Sequence, residues 1–416
     1  MDVVHPTRRA VLALMAGCPV AGAVAATTAA SAGPRPALLT LDELGLAPGL
    51  IHLNTASAGP TPDRVLQRTL AAWRRIETDP VIMSYAPDPD SVVAAADGVR
   101  RKAAALVGCT ADEILLTRGT TDGMTTLAHS IRLREGDRVL LTDQEHEGGE
   151  TGWLHRQSRD GIVVDRVKVP IGDWDRAGIL RRFESAIGPR TRAISVSHVL
   201  SPTGLKMPIA EIARLAHRKG ALCIVDGAQA AGEIAVDVKA LGCDAYATSG
   251  HKWLMGPKGT GFLYISKDAQ AAIEPAEWLM GKRYGSNSQG LGPMALAVGL
   301  GEAIDRMMAI GMARVEHHNL ALAERIHAAF TLLPPLELVS PPPGPLATAL
   351  VAARLPEAID SQALRVTMRN RHGVSIKMAE KRWFNGIRLS PHIFNDEEQV
   401  DEALAALRME LSNFQG

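Results

Sequence analysis

The sequence has only four cysteines, and their spacing argues against a cysteine metal site or a disulfide framework. Cys18 lies near the N-terminus, and Cys109, Cys223 and Cys243 lack the close spacing of a metal-ligand set. Cys223 and Cys243 fall in apolar patterns typical of strands, which predicts buried thiols. We therefore expect neither a metal site nor a disulfide framework.

The chain also lacks an excess of charge of either sign. Its 45 Lys and Arg residues equal its 45 Asp and Glu residues. Proteins that bind nucleic acid or acidic membrane surfaces usually carry a basic excess, so neither partner is expected. With 416 residues and no internal repeat, the chain is long enough for two or three domains, as in an ordinary soluble enzyme.

An acid and a lysine follow two neighbouring predicted strands. The apolar run Ala221–Val225 ends at Asp226, and a second run, Cys243–Ala247, is soon followed by Lys252. Open α/β sheets bind ligands at the carboxyl ends of their strands. Pyridoxal 5'-phosphate needs a lysine amine to form a Schiff base and a carboxylate that keeps its ring nitrogen protonated. The pattern indicates such a site; the alternative is a backbone-capped Asp and a solvated surface Lys.

A candidate phosphate site follows another predicted strand, Ile114–Thr117. Gly119, Thr120 and Thr121 come next and open a helical pattern. A helix N-terminus offers unpaired N–H groups and about half a positive charge, which suits a phosphate. The alternative for this motif is an ordinary threonine-rich helix cap.

Alternating helical and strand patterns from residue 91 to residue 279 predict a mainly parallel sheet flanked by helices. A helical run at Met294–Leu333 then leads to a smaller domain. We divide the chain into a leader (1–32), an N-terminal segment packing on both domains (33–90), a large domain (91–293) and a connecting helix with a small domain (294–416). The glycine-rich stretch 256–261 precedes a predicted strand and opens no helix, so a dinucleotide-binding loop is rejected.

Several motifs together resemble those of the class V aminotransferases of fold type I, the group that contains cysteine desulfurases, kynureninase and isopenicillin N epimerase. The motifs are DGAQ at 226–229, SGHKW at 249–253, HVLSPTG at 198–204, YGSNSQ at 284–289 and IRLSPHIFN at 387–395. The resemblance extends from His52 to the C-terminus. It implies an α/β fold with a mainly parallel seven-stranded sheet, a smaller α+β C-terminal domain and a homodimer.

The resemblance also implies which residues bind pyridoxal 5'-phosphate. Lys252 matches the Schiff-base lysine, Asp226 the partner of the ring nitrogen, and Gln229 a residue near the phenolic oxygen. The other matched positions are Ser249 and His251 on the phosphate side, His146 stacked on the ring, His198 facing the phenolic oxygen or the substrate, and Ser286 and Asn287 in a loop that reaches the partner subunit's phosphate.

For the substrate, the resemblance assigns two residues. Arg388 matches the arginine that holds the α-carboxylate, and Asn54 is assigned to the same substrate site. A planar guanidinium suits bidentate binding of a carboxylate. The alternative for Arg388 is a structural ion pair with Asp396 or Glu397.

The same motifs narrow the range of reactions that the enzyme is expected to catalyse. Cysteine desulfurases use a mobile cysteine, but none follows Cys243 here, which argues against that reaction. The motifs resemble the isopenicillin N epimerase branch most, so we expect chemistry at the α-carbon of a free or peptide-borne amino acid. Lys252 would be the general base, with His146 and His198 as candidate proton donors on the opposite face. The alternatives are a transaminase, a β-eliminating lyase, an enzyme that modifies a siderophore's glutamyl group, and a non-catalytic scaffold.

The N-terminus predicts export. Arg8 and Arg9 form a twin-arginine pattern that precedes an Ala- and Val-rich segment and small residues. The apolar segment is too short and broken for a stable membrane span. Cleavage after Ala25 or Ala32 would give a periplasmic or secreted enzyme that is exported folded around its cofactor by the twin-arginine machinery. The alternatives are a chance Arg pair and a lipoprotein cleavage box ending at Cys18.

Overall fold

A computed structural model describes residues 35–86, 88–273, 275 and 292–413. Apart from Arg35, these residues belong to one contact unit, Pro36–Gly416. The predicted leader and the loop containing Ser286 and Asn287 lie outside the described residues. The proposed domain boundaries stay predictions.

Seven strands form the larger sheet, in the order β2–β8–β7–β6–β5–β3–β4. They are β2 (Ile114–Thr117), β3 (Arg138–Thr142), β4 (Val163–Val167), β5 (Thr191–Ser197), β6 (Leu222–Asp226), β7 (Ala245–Ser249) and β8 (Gly261–Ile265). Only β8 runs antiparallel to its neighbours within this sheet. The predicted mainly parallel seven-stranded sheet is confirmed.

Helices cover both faces of this sheet, which explains its nearly continuous apolar strands. The helices are α3 (Val92–Val107), α4 (Thr120–Ser130), α5 (Glu147–Asp160), α6 (Arg176–Ala186), α7 (Ile209–His217) and α8 (Val238–Leu241). Cys223, Val225 and Tyr246 pack into one core with α6 and α7, whereas Ile224 and Ala245 pack into a second core with α4 and α5. Residues that alternate along a strand therefore serve opposite cores, and polar strand ends are left at the sheet edge.

A four-stranded antiparallel sheet, in the order β12–β13–β10–β9, forms the smaller layer. Its strands are β9 (Glu337–Leu338), β10 (Val351–Arg354), β12 (Lys377–Met378) and β13 (Gly386–Leu389). The helices α10 (Met312–Thr331), α11 (Ser361–His372) and α12 (Glu397–Asn413) pack on it around a core that includes Phe330, Leu364 and Ile387. This agrees with the predicted α+β region.

The remaining elements connect these layers. They are β1 (Ile51–His52), which pairs in parallel with β11 (Val374–Ser375), the helices α1 (Asp63–Thr78), α2 (Pro80–Tyr85) and α9 (Met294–Ile310), and short 3-10 helices at Leu41–Glu43, Ala111–Glu113 and Lys267–Ala271. The single helical run predicted at Met294–Leu333 is wrong. It is two helices, because Gly311 between them has a φ of 90° and ends the first. Within the described residues, no helix is both long and apolar enough to cross a membrane.

Candidate active site

A cavity of about 290 Å³ lies at the carboxyl ends of β5, β6 and β7. The first turns of α4 and α5 and the edge of the smaller sheet complete its wall. Most of the predicted site residues line it: Thr120, Thr121, His146, Asp226, Gln229, Ser249, His251, Lys252 and Arg388. The structure therefore brings together residues that are far apart in the sequence.

Lys252 lies in a tight turn just after β7. The pKa of its amine is lowered to about 8, mainly by burial; Asp226 opposes this shift, and the nearby Arg388 and Lys377 add to it. The turn brings Met255 to a φ of 55°, which is unusual for a residue with a side chain. Gly59 packs against the turn, donating its N–H to the His251 carbonyl at 2.9 Å. A Cβ on Gly59 would lie 2.2 Å from the Lys252 carbonyl oxygen, so only glycine fits there.

Asp226 is buried at the end of β6. Its Oδ1 accepts a hydrogen bond from the Ala228 N–H at 2.9 Å, and within the described residues its Oδ2 accepts none. Burial raises the pKa of this carboxyl, while Lys252 and His146 act in the opposite direction. A Cβ on Gly149 would come within 2.9 Å of Oδ2, so this glycine keeps the oxygen accessible from the cavity. The carboxylate thus has a free acceptor for a ring N–H.

His146 is the N-cap residue of α5. Its Nδ1 accepts from the Gly148 N–H at 3.0 Å, which assigns the proton of the neutral ring to Nε2. Burial and the neighbouring Lys252 lower its pKa, so the ring is held neutral. Gly148 allows α5 to approach α4, since a Cβ there would lie 2.2 Å from Thr121 Oγ1.

The predicted phosphate residues meet at the first turn of α4. Gly119 precedes this turn with a φ of 148°, and the Thr120 N–H donates to Ser249 Oγ at 2.9 Å. The Thr120 and Ser249 hydroxyl oxygens are 2.8 Å apart. Next to them, His251 Nδ1 is buried without a hydrogen-bond partner in the described part of the chain. Hydroxyls, a helix start and an orphaned imidazole nitrogen form a suitable set of donors for a phosphate.

Gln229 and His198 are both held by buried contacts. Gln229 donates to the Ala56 carbonyl at 3.0 Å and accepts from the Trp253 indole at 2.9 Å. His198 Nδ1 is 3.0 Å from the Tyr246 hydroxyl, and burial lowers the pKa of its ring to about 3. Although Ser197 and Val199 on either side line the cavity, His198 is not among the lining residues. Its predicted catalytic role therefore lacks the contact that His146 has.

Arg388 on β13 presents a buried guanidinium to the cavity. Its Nη1 donates to the Ser201 carbonyl at 2.7 Å and to Ser201 Oγ at 2.9 Å, and its Nη2 is 3.5 Å from Ser57 Oγ. Its Nε is buried without a partner, and no carboxylate in the described residues is hydrogen bonded to it. The alternative pairing with Asp396 or Glu397 is wrong, because Asp396 caps α12 and Glu397 pairs with Arg325. The guanidinium is held in place by neutral groups and remains available for an anion.

Asn54 is not brought to the cavity wall. It forms a bridge with Ser390 two residues before the lining Ala56, and its Oδ1 is buried without a hydrogen bond in the described structure. Ser57, Lys377 and Glu380 also line the cavity, although no motif in the sequence pointed to them. Their signal is weak in the sequence, because they approach only when the smaller sheet folds against the larger one.

A second missed group is Glu145, directly before His146. Its Oε1 accepts from the Thr142 hydroxyl at 2.6 Å, and its Oε2 accepts from Ser197 Oγ at 2.6 Å. Burial raises the pKa of this carboxyl to about 7. Among the described residues, no group of three or more His, Cys, Asp or Glu side chains could hold a metal ion.

These residues fit pyridoxal 5'-phosphate. Lys252 supplies the amine, Asp226 a buried carboxylate with a free oxygen, and His146 an aromatic ring on the wall. The phosphate would be held by Thr120, Thr121, Ser249 and His251 at the start of α4.

Comparison with known proteins agrees with this fit. Residues 51–403 match the family model described as aminotransferase class-V. Isopenicillin N epimerase of Amycolatopsis lactamdurans is 30% identical over 391 residues, which cover 88% of this chain and 96% of that protein. A probable cysteine desulfurase of Methanothermobacter thermautotrophicus is 32% identical over 309 residues, covering 70% of this chain and 75% of that protein.

Solved structures share the fold. A C-DES mutant with glycine covalently linked to the PLP cofactor superposes with a TM-score of 0.78 at 24% identity, covering 89% of this chain and 99% of that chain. The chain therefore belongs to the aminotransferase class-V family and is an enzyme whose cofactor is pyridoxal 5'-phosphate.

Proposed function

We propose that this protein is an exported enzyme that acts at the α-carbon of a free or peptide-borne amino acid, in the manner of an epimerase. One observation carries the proposal: the buried Arg388 guanidinium has no acidic hydrogen-bond partner in the described structure and lines the same cavity as Lys252. A buried charge is costly unless it is paired. The α-carboxylate of an amino acid would supply the missing partner, with two-point geometry that fixes its orientation.

Lys252 is the proposed Schiff-base residue and general base. Its pKa of about 8 leaves a substantial fraction of neutral amine near physiological pH. The bound cofactor supplies an electron sink for the bond that breaks at Cα. Lys252 then takes or returns the α-proton on its own side of the substrate.

Epimerisation also needs a proton donor on the opposite side of the substrate. His146 lines the cavity, and its Nε2–H has no hydrogen-bond partner among the described residues, whereas His198 does not line the cavity. This supports His146 over His198 for the second proton. Amino transfer would need no such second donor.

The test uses the mature protein loaded with pyridoxal 5'-phosphate and a panel of D- and L-amino acids in D₂O. Exchange of the α-proton, measured by NMR, should occur with some members and be abolished in Lys252→Ala. Lys381→Ala, which removes an exposed lysine outside the cavity, should keep the exchange. Chiral chromatography then separates inversion from retention, and a 2-oxo acid product would indicate amino transfer. Undiminished exchange in Lys252→Ala would contradict the proposal.

Cysteine desulfurase is a second candidate, because a probable cysteine desulfurase is among the relatives. Cys109, Cys223 and Cys243 are free thiols, but none lines the cavity, and burial raises the pKa of Cys109 to about 12. These facts argue against transfer of sulfur to a cysteine of this chain. Sulfide release from L-cysteine that is lost in a triple Cys→Ser variant would favour desulfurase activity.

A homodimer and export are part of the same proposal. Leu66, Leu70 and Trp73 are 42%, 47% and 54% exposed and lie along one side of α1, which is a large apolar surface for a monomer. A second copy of the chain would cover it. Export rests on Arg8 and Arg9 and the apolar segment after them.

A further inference from the structure

Two cations lie side by side on the cavity wall. Lys377 on β12 pairs directly with Arg388 on β13 in antiparallel register, and both line the cavity. Residues that face each other across an antiparallel pair point to the same side of the sheet, with Cβ atoms about 4.5–5.5 Å apart. Like charges in this arrangement repel each other. The sheet therefore presents a pair of positive charges to the same space.

Neither cation is neutralised within the described residues. Arg388 is hydrogen bonded only to Ser201 and Ser57 oxygens, and the half-buried Lys377 ammonium makes no hydrogen bond or ion pair. Burial and the neighbouring Arg388 both lower the pKa of Lys377. Two adjacent cations that are removed from water thus remain without a matched acid.

Two acids act on this pair, and neither is free to neutralise it: burial keeps Glu233 protonated, and Glu380 is already engaged. Glu380 lines the cavity and acts on both cations, but its Oε2 accepts from Arg382 Nε at 2.9 Å. Arg382 in turn lies 4.3 Å from the centre of the Trp383 ring. Since Arg382 offsets Glu380, the pair Lys377 and Arg388 retains an excess of positive charge.

One α-carboxylate balances only one of the two charges. We infer that the substrate carries a second anionic group, so that it is an α-amino acid with an acidic side chain whose α-carboxylate binds Arg388 and whose distal carboxylate binds Lys377. This inference rests on the proposed function, which gives Arg388 the α-carboxylate. The two residue types suit the two tasks. The rigid fork of arginine fixes the reacting end, and the flexible stem of lysine can follow a side chain of variable length.

The test compares acidic substrates with their neutral isosteres in the loaded enzyme. Glutamate is paired with glutamine, and 2-aminoadipate with its side-chain amide homoglutamine, each as D and L forms. Binding is measured by titration calorimetry, and turnover by α-proton exchange. The wild type should prefer the acidic member of each pair by about 10- to 100-fold, as expected for one charge-assisted contact.

Variants of Lys377 test whether this residue binds the distal carboxylate, the α-carboxylate or the cofactor phosphate. In Lys377→Met, affinity and turnover should fall about 10- to 100-fold with glutamate and only slightly with glutamine. Lys377→Arg should keep the preference for the acidic substrate. The matched control is Lys381→Met, which removes a positive charge four residues further along the chain and outside the cavity. Cofactor affinity, measured by the visible absorption of the bound form, should stay unchanged in Lys377→Met.

Three results would overturn the inference. Equal losses with glutamate and glutamine would mean that Lys377 serves the shared α-carboxylate. Weaker cofactor binding in Lys377→Met would assign the lysine to the phosphate. If the wild type handled neutral amino acids as well as acidic ones, the inference would fail while the proposed function stood, and if no amino acid bound or exchanged, both would fail.

Discussion

Replacing Glu233 with glutamine should stabilise the protein at neutral and alkaline pH. Glu233 lies in the turn after β6, where its Oε1 accepts from the Ala349 N–H and its Oε2 is buried without a hydrogen bond in the described structure. Burial is the main cause that raises the pKa of this carboxyl from its ordinary 4.5 to about 8. Glutamine has the same shape, keeps a carbonyl oxygen for Ala349 and never ionises.

The magnitude follows from linkage. The folded state holds the Glu233 proton up to about pH 8, while the unfolded chain releases it near pH 4.5. The contribution of this carboxyl to the unfolding free energy therefore falls as pH rises between these two values and is constant outside them. At about 1.4 kcal/mol for each pH unit, this carboxyl costs at most about 5 kcal/mol above pH 8. Glu233→Gln should remove most of that cost and leave stability at pH 4 nearly unchanged.

Urea unfolding of the apoprotein from pH 4 to pH 9 measures the effect. The difference in unfolding free energy between Glu233→Gln and the wild type should grow with pH and level off above pH 8. Glu357→Gln, which changes an exposed glutamate, should leave the pH dependence of the wild type intact. A difference that is constant with pH, or that grows towards acid pH, would refute the reasoning.

The same carboxyl should affect substrate binding, because its charge acts on Arg388. While Glu233 is protonated, it does not compete with a substrate carboxylate for the guanidinium. Above pH 8 it ionises, and the KM for an amino acid should rise in the wild type but less in Glu233→Gln. Parallel KM profiles for the two proteins would contradict this coupling.

Three further predictions concern other parts of the molecule. Arg388→Lys should raise the KM for amino acids by about 10- to 100-fold with cofactor binding unchanged, because a point charge replaces a bidentate fork; equal kinetics would exclude the carboxylate role. Leu70→Glu should shift the protein from dimer to monomer in light scattering, whereas Met409→Glu, at an exposed site on α12, should not. Changing both Arg8 and Arg9 to Lys should keep the protein in the cytoplasmic fraction; unchanged fractionation would refute twin-arginine export.

The sequence predicted those features that depend on local pattern. The apolar strand Ile114–Thr117 has the predicted bounds, because a strand buried on both faces reads as a continuous apolar run. Asp226 and Lys252 could be placed at one site because Asp226 ends β6 and Lys252 closely follows β7, and these strands are parallel neighbours in the same sheet. The break at Gly311 was missed, because helical periodicity continues on both sides of it and one glycine is a weak signal.

Features that depend on contact between the two sheets could not be predicted. The pairing of Lys377 with Arg388 is a matter of antiparallel register, which the local sequence does not encode. His198 directly follows Ser197, the last residue of β5. Successive side chains of an extended segment point to opposite faces, so a shift of one residue decides whether a side chain lines the cavity or lies behind it. Asn54 illustrates the same limit, since it lies two residues from the wall without reaching it.

Arg388 and Lys377 keep their positive charge because the nearby acids do not neutralise them. Glu233 is held protonated by burial, and Glu380 is paired with Arg382, so that neither fully neutralises Arg388 or Lys377. Both features cost stability. Glu233 is a buried acid, and Lys377 and Arg388 are like charges that lie opposite each other. Proteins tolerate such conflicts mainly where a ligand resolves them. A doubly anionic substrate would resolve both repulsion and desolvation at once, which is why acidic amino acids should stabilise the loaded enzyme against unfolding more than their neutral isosteres do.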